Sequence, residues 1–152
     1  MSDIKEIRKI ASSLTLLYVE DDKEIAQAFI SYLSKIFKEV IYAENGEEGL
    51  TLYKQDEFDL VITDINMPKM NGMDMAKEIR DIRSDQNIII ISAHTELDNF
   101  ITSIKLGIDG YVVKPFTRNE VEDTLRQTIK RHPILSKIVS AMLGSLSIDT
   151  FD

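Results

Sequence analysis

The sequence predicts an α/β domain in which helices cover both faces of a parallel sheet. Five short apolar runs are separated by segments of helical period, and most runs are continuously apolar rather than alternating. Continuous runs are typical of parallel strands that are buried on both faces. Strand and helix alternate five times, which favours right-handed crossovers within one sheet. The runs cover residues 14–19, 40–43, 60–63, 88–91 and 111–113.

The helical segments are marked by apolar spacing and by residues that cap helices. Asp22 is predicted to cap the helix after the first strand. Asn45 precedes Glu48 by three residues, and Thr117 precedes Glu120 by three, which is the spacing of a capping box. Apolar residues recur every four positions after the first strand, at Ile25, Phe29, Leu33 and Phe37.

Two extensions flank the predicted core at residues 14–131. Residues 1–13 carry isoleucines at helical spacing, which predicts a leader helix. Residues 132–152 carry a wide apolar stripe that includes Ile134, Ile138, Met142 and Leu146. This stripe fits a helical tail docked on its own domain, a linker to a further segment, or a dimerisation helix.

Composition places the chain among acidic cytoplasmic domains. Its 152 residues are 43% apolar, and no stretch approaches the length of a membrane span. The absence of cysteine excludes disulfides and thiolate metal sites, which suits a reducing cytoplasm. The net charge of −8 disfavours non-specific binding to nucleic acid or anionic membranes.

Polar residues follow four of the predicted strands. Glu20 and Asp21 come after the first strand, Asp64 after the third, Ser92 after the fourth and Lys114 after the fifth. In open parallel sheets the carboxyl ends of the strands meet at the edge where ligands bind. Crowded carboxylates repel, and a hard divalent cation relieves the repulsion. An all-oxygen set indicates Mg²⁺, with Mn²⁺ as the alternative.

This combination of residues suits a phosphoryl group. Asp64 has the chemistry to attack phosphorus, while the metal and Lys114 neutralise the phosphoryl oxygens and Ser92 donates a hydrogen bond. Taken singly, each residue also fits an ordinary helix cap or turn. The convergence of four strand ends on one site is what favours the chemical interpretation.

Four segments of the chain resemble the receiver domain of two-component response regulators. The resemblance covers residues 14–131 and is carried by LLYVEDDKEI, DLVITDINMPKMNGMD, IIIISAH and GYVVKPFT. The segment GYVVKPF is close to that of the single-domain chemotaxis response regulators, although the flanking extensions differ. The resemblance implies a doubly wound, flavodoxin-like fold with five parallel strands in the order 2-1-3-4-5.

The resemblance also implies the metal and phosphoryl ligands. Asp64 is expected to be the phosphoacceptor, and Asp21 and Asp64 the direct carboxylate ligands of Mg²⁺. Asn66 is expected to contribute its backbone carbonyl, and Glu20, which stands where the family often has aspartate, to act through water. The side chain of Asn66, together with His94, is expected to tune dephosphorylation.

The remaining implied residues concern the switch. Lys114 is expected to contact the phosphoryl group. Its peptide bond to Pro115 is expected to be cis, which would aim the ammonium at the phosphate. Ser92 matches the family's serine or threonine and is expected to move toward the phosphate. Tyr111 is expected to turn inward in response, whereas an ordinary strand tyrosine would hold its hydroxyl in solvent.

A receiver domain would be phosphorylated by a sensor histidine kinase or a phosphotransfer protein. Family members catalyse only their own phosphorylation and dephosphorylation, and the modified form acts on a downstream output protein or domain, or as a homodimer. The chain is expected either to stand alone or to be the receiver of a longer regulator with a DNA-binding, nucleotide-cyclase or kinase module.

Two other classes of protein with related folds or chemistry are disfavoured. A flavodoxin-like electron carrier needs hydroxyl and glycine donors after its first strand, where this chain has three acids, and acids would repel a flavin phosphate. A haloacid-dehalogenase-like phosphatase needs its paired aspartates after the first strand, whereas Asp64 follows the third.

Overall fold

A computed structural model of the protein describes residues 4–93 and 97–130. Within them, five parallel strands form one sheet in the order β2-β1-β3-β4-β5. The strands are β1 (Thr15–Val19), β2 (Glu39–Ala43), β3 (Leu60–Asp64), β4 (Asn87–Ser92) and β5 (Gly110–Val113). The helices are α1 (Ile4–Ala11), α2 (Lys23–Leu33), α3 (Gly46–Gln55), α4 (Gly72–Ile82), α5 (Leu97–Leu106) and α6 (Arg118–Ile129). The predicted fold class and strand order are confirmed.

The sheet separates two apolar cores because successive side chains of a strand point to opposite faces. In β1, Leu16 and Tyr18 join the core beneath α2 and α6, whereas Leu17 and Val19 join the core beneath α3 and α4. Every residue of β3 and β4 is buried. This burial on both faces explains why the strands read as continuous apolar runs.

The predicted caps fix where three helices begin. The carboxylate of Asp22 accepts hydrogen bonds from two backbone N–H groups at the start of α2. The side chain of Asn45 accepts from Glu48 N at 2.8 Å, but the Glu48 carboxylate turns to Glu44 N rather than to Asn45 N. Thr117 and Glu120 form the complete capping box of α6. The caps hold the loops at the carboxyl edge of the sheet in defined positions.

The first helix is part of the same folded unit as the sheet. Ile7 and Ala11 of α1 are buried in one core with Leu125 and Ile129 of α6. The helix lies within the predicted leader segment, while the predicted tail at residues 132–152 lies outside the described residues. The division of the chain at residues 13 and 131 stays a prediction.

The helices are short. The longest one described, α6, has 12 residues. A bilayer span takes about 20 mostly apolar residues, and within 4–93 and 97–130 no helix meets that requirement.

Candidate functional site

Three carboxylates meet at the carboxyl edge of the sheet. Glu20 and Asp21 directly follow β1, and Asp64 ends β3, the neighbouring strand. One oxygen from each carboxylate lies within 4.8 Å of those from the other two. Glu20 is 1% exposed and Asp64 6% exposed, whereas Asp21 is open to solvent. The predicted convergence of strand ends therefore holds for all three acids.

Lys114 brings its ammonium into this acidic cluster. It follows β5, and its Nζ lies 3.2 Å from Glu20 Oε1 and 3.6 Å from Asp64 Oδ1. The first distance is that of a charge-assisted hydrogen bond, while the second is longer than a hydrogen bond. The Lys114–Pro115 bond is cis, as the resemblance implied. The direct contact with Glu20 was not foreseen from the sequence.

The charges in this cluster are not balanced. Burial raises the pKa of the Glu20 carboxyl, and the negative charge of Asp64 raises it further, while the Asp22 backbone N–H and Lys114 oppose the shift. Burial also raises the pKa of Asp64, with Lys114 as the main opposing charge and Asp21 adding to the increase. One ammonium among three carboxylates leaves excess negative charge.

The donor set fits a hard divalent cation. The cluster offers only carboxylate oxygens, which suit Mg²⁺ or Mn²⁺ better than zinc. Two of the three carboxylates are buried and penalised as anions, so a bound cation would remove a cost that is already present. The residues present can hold the metal that the sequence predicts.

The loop after β3 is pinned at both ends. Gly72 N donates to Ile65 O at 2.8 Å, and Gly46 N, at the start of α3, donates to Met70 O at 3.1 Å. A Cβ at Gly72 would lie 1.9 Å from the backbone oxygen of Asp64, so the position accepts no side chain. Asn66 lies in this loop and is exposed. The tight packing fixes the backbone that carries Asp64.

The predicted switch residues lie beside the site. Ser92 ends β4 and is buried, and its backbone oxygen accepts a hydrogen bond from Lys114 N at 2.6 Å. The Tyr111 ring meets Phe100 edge to face at 5.6 Å. The Tyr111 hydroxyl is buried rather than in solvent, with no hydrogen-bond partner among the described residues. His94 lies outside the described residues.

One tyrosine contacts Glu20 and another precedes it by two residues on β1, and sequence reasoning missed both. The Tyr42 hydroxyl donates to the backbone oxygen of Glu20. The Tyr18 hydroxyl is buried and has no hydrogen-bond partner in the described part of the chain. A usable signal exists for Tyr18, because it lies two residues before Glu20 and therefore shares its face of the sheet. Because Tyr18 lies within a continuous apolar run, it resembles an ordinary core aromatic residue in the sequence.

Comparison with known proteins extends this description. The profile of the response regulator receiver domain matches residues 16–126, from β1 into α6. The chain is similar to the probable transcriptional regulator ycf27 of Porphyridium aerugineum, with 36% identity over 116 residues that cover 76% of this chain and 48% of that protein. The chain thus spans about half the length of the curated relatives it matches.

Solved structures give the same result. A response regulator receiver domain protein from Clostridium thermocellum is 33% identical, with a TM-score of 0.71 over 80% of this chain and 98% of that chain. The response regulator TrrA from Thermotoga maritima, solved in complex with Mg²⁺-BeF, is 33% identical, with a TM-score of 0.68 over 76% of this chain and 98% of that chain.

Proposed function

Since the chain belongs to the receiver domain family of two-component response regulators, we propose that Asp64 is its phosphoacceptor and that the reaction requires Mg²⁺. One observation carries the proposal. The ammonium of Lys114 lies within 3.6 Å of the carboxylates of both Glu20 and Asp64, at the edge where three acids converge. This arrangement supports the proposal because it places Asp64 beside a positive charge and within a group of acids that suits a divalent cation.

The proposed reaction is a transfer of the phosphoryl group to a carboxylate. A carboxylate oxygen of Asp64 forms a bond to phosphorus while the bond from phosphorus to the donor's nitrogen or oxygen breaks, and the donor leaves with the electron pair. Bound Mg²⁺, held by Asp21, Asp64 and the Asn66 carbonyl, would supply neutralisation of the phosphoryl oxygens. Glu20 would contact it through water.

Lys114 and Ser92 would hold the transferred group in place. Lys114 already lies beside Asp64, so its ammonium can pair with a phosphoryl oxygen without rearrangement of the strand. Ser92 ends the strand next to β3 and would donate its hydroxyl to another oxygen. Loss of the phosphoryl group to water would be tuned by the side chains of Asn66 and His94.

The proposed switch connects this chemistry to a surface. Movement of Ser92 toward the phosphate would open space for Tyr111, whose hydroxyl is already buried and unpaired among the described residues. Tyr111 contacts Phe100 of α5, which is 45% exposed. Ile101 and Ile104 on the same helix are 40% and 62% exposed. A change at Tyr111 would thus alter an apolar surface that is available to an output partner.

The expected phosphodonor is a sensor histidine kinase or a phosphotransfer protein, and the expected setting is the cytoplasm. Output would go through a downstream protein or domain, with a homodimer as the alternative and no direct contact with nucleic acid or membrane. The chain is expected to catalyse only its own phosphorylation and dephosphorylation. One observation favours a second arrangement: the match covers only 48% of the curated relative from Porphyridium aerugineum, which is named a probable transcriptional regulator, and this supports a receiver within a longer regulator.

The proposed function predicts phosphorylation that depends on a divalent cation. Incubation with labelled acetyl phosphate and Mg²⁺ should place one acid-stable, base-labile phosphoryl group on each chain, and EDTA should prevent the incorporation. Scintillation counting and intact-protein mass spectrometry measure the result. Equal incorporation with and without EDTA would contradict the role of the metal, and no incorporation from either acetyl phosphate or a histidine kinase would contradict the function.

Replacing Lys114 with glutamine should destabilise the metal-free protein. Removing the charge partner of the buried Glu20 carboxylate is expected to lower the free energy of unfolding at pH 7 by roughly 1–3 kcal/mol. The folded-state pKa values of Glu20 and Asp64 are raised, so their contribution to stability is complete below their ordinary values of 4.5 and 3.8 and is lost as the pH rises. The effect of Lys114→Gln should therefore shrink toward pH 4.

Urea unfolding in EDTA at a series of pH values measures this effect. The matched control is Lys38→Gln, which removes the same charge from an exposed loop position. An effect of Lys114→Gln that matches the control at every pH would show that the ammonium does not stabilise the carboxylates.

A further inference from the structure

The Tyr18 side chain is buried on β1, the strand that leads into the acidic cluster, and its hydroxyl has no partner within the part of the chain that the structure describes. The residue is 1% exposed, and its ring packs edge to face on Phe29 at 5.2 Å and beside Tyr42 at 6.1 Å. Its hydroxyl makes no hydrogen bond to any of the described residues. Leaving a buried hydroxyl unpaired is unfavourable relative to bonding it, so a state of the protein that supplies an acceptor for this hydroxyl is favoured.

Of the other four tyrosines, Tyr111 also has a buried hydroxyl with no partner among the described residues, whereas the remaining three hydroxyls are bonded. Tyr32 donates to Glu122 at 2.7 Å, and Tyr53 donates to Gln86 at 2.7 Å. Tyr42, which lies opposite Tyr18 on the neighbouring strand, donates to the backbone oxygen of Glu20. Apolar packing alone could be provided by phenylalanine at position 18.

Two acids of the site lie on the same face of the sheet as Tyr18. Tyr18 and Glu20 are two residues apart on one strand and its extension, so they share a face of the sheet. Burial, followed by the negative charges of Glu20 and Asp64, raises the pKa of the Tyr18 hydroxyl above its ordinary value. The Tyr18 ring lies beside the ring of Tyr42, whose own hydroxyl reaches the backbone oxygen of Glu20, so the Glu20 carboxylate is the acidic acceptor nearest along this face of the strand.

The oxygens of Glu20 already have donors in the metal-free protein. Oε2 accepts from the backbone N–H of Asp22 at 3.2 Å, and Oε1 accepts from Lys114 Nζ at 3.2 Å. A divalent cation among the three carboxylates would repel the ammonium, which lies against two of the same groups. Moving Lys114 away would remove the ammonium donor of Glu20 Oε1 and leave that oxygen able to accept a further hydrogen bond beside the metal-bound water.

We propose that Tyr18 is a positioning residue of the cation site, whose hydroxyl donates to the Glu20 carboxylate when a divalent cation displaces Lys114 from it. This inference rests on the proposed function, because it assumes that the acidic cluster binds Mg²⁺. The bond exists only in the metal-bound protein. The unpaired hydroxyl is thus a cost in the metal-free protein that is recovered on binding.

The test is Tyr18→Phe, which keeps the ring and removes only the hydroxyl. The exchange is expected to stabilise the metal-free protein and to weaken the binding of Mg²⁺. The metal-free protein should become more stable, with a higher urea midpoint in EDTA, because an unpaired buried hydroxyl is gone. The dissociation constant for Mg²⁺, measured by isothermal titration calorimetry, should rise about tenfold, because the metal-bound protein loses a hydrogen bond to a charged group.

Tyr42→Phe is the matched control on the neighbouring strand. It removes a hydroxyl that is already bonded, so the metal-free protein should become less stable. A Tyr18→Phe protein with unchanged affinity for Mg²⁺ would overturn the inference while leaving the proposed function intact. A Tyr18→Phe protein that is less stable in EDTA would overturn it as well, since the hydroxyl would then be bonded without metal. Wild-type protein that binds no Mg²⁺ would refute the proposed function and this inference together.

Discussion

Replacing Asp64 with asparagine is expected to abolish phosphoryl incorporation from acetyl phosphate. The amide is a poor nucleophile and cannot form the acyl phosphate, so the label should fall to the background of the assay. Folding should survive the exchange. Burial raises the pKa of Asp64, so its charged form destabilises the metal-free protein at neutral pH, and removing that charge should raise the free energy of unfolding.

A matched control shows that the loss is specific to the site. Asp85→Asn makes the same exchange at an exposed position that precedes β4, at the opposite edge of the sheet. It should leave incorporation at the wild-type level. Substantial base-labile label on the Asp64→Asn protein would assign the phosphoacceptor to another residue, and mass spectrometry of its peptides would locate it.

Replacing Asp21 with asparagine is expected to weaken Mg²⁺ binding at least tenfold, or by about 1.4 kcal/mol. The side chain is the exposed member of the acidic cluster. Among the contacts described above, its carboxylate takes part in this cluster alone, so the exchange disturbs no other interaction. Its negative charge raises the pKa of Asp64. Removing it should therefore relieve repulsion and raise the stability of the metal-free protein slightly.

The neighbouring residue provides the control for this exchange. Asp22→Asn changes the same charge one position away, while asparagine caps a helix about as well as aspartate. Calorimetric titration with Mg²⁺ should show near-wild-type affinity for Asp22→Asn and the large loss for Asp21→Asn. Equal affinities of the two proteins would remove Asp21 from the ligand set, and a drop in metal-free stability on Asp21→Asn would indicate a structural role.

The fold was predictable because the sheet is buried on both faces. Such strands must be apolar throughout, and the residues that cap the intervening helices are local signals that need no tertiary context. Apolar spacing was less reliable on the helix surfaces. Ile25 belongs to the predicted four-residue repeat but is 42% exposed, and Phe37 lies beyond the end of α2 at Leu33. The helical period shows which residues share a face of a helix, but the packing of neighbouring elements decides which of those residues are buried.

The sequence was sufficient to predict which acidic residues lie close together. Strand order and the alternation of side chains bring Glu20, Asp21 and Asp64 to one edge, and the resemblance to receiver domains supplied the roles. The pairing of Lys114 with Glu20 was not predictable, because it depends on side-chain conformation across the four strands from β1 to β5. The unpaired hydroxyl of Tyr18 was hidden for a similar reason, since only packing shows whether a tyrosine finds a partner.

The folded unit begins with α1, the helix that precedes the sheet. The match to the family profile starts at residue 16, yet Ile7 and Ala11 are as deeply buried as the strands that follow. The residues that the profile covers therefore do not include all of the residues that form the core of this protein. A fragment cut at the start of the profile would lack the eight residues of α1 and would uncover the apolar surface of α6 on which they pack.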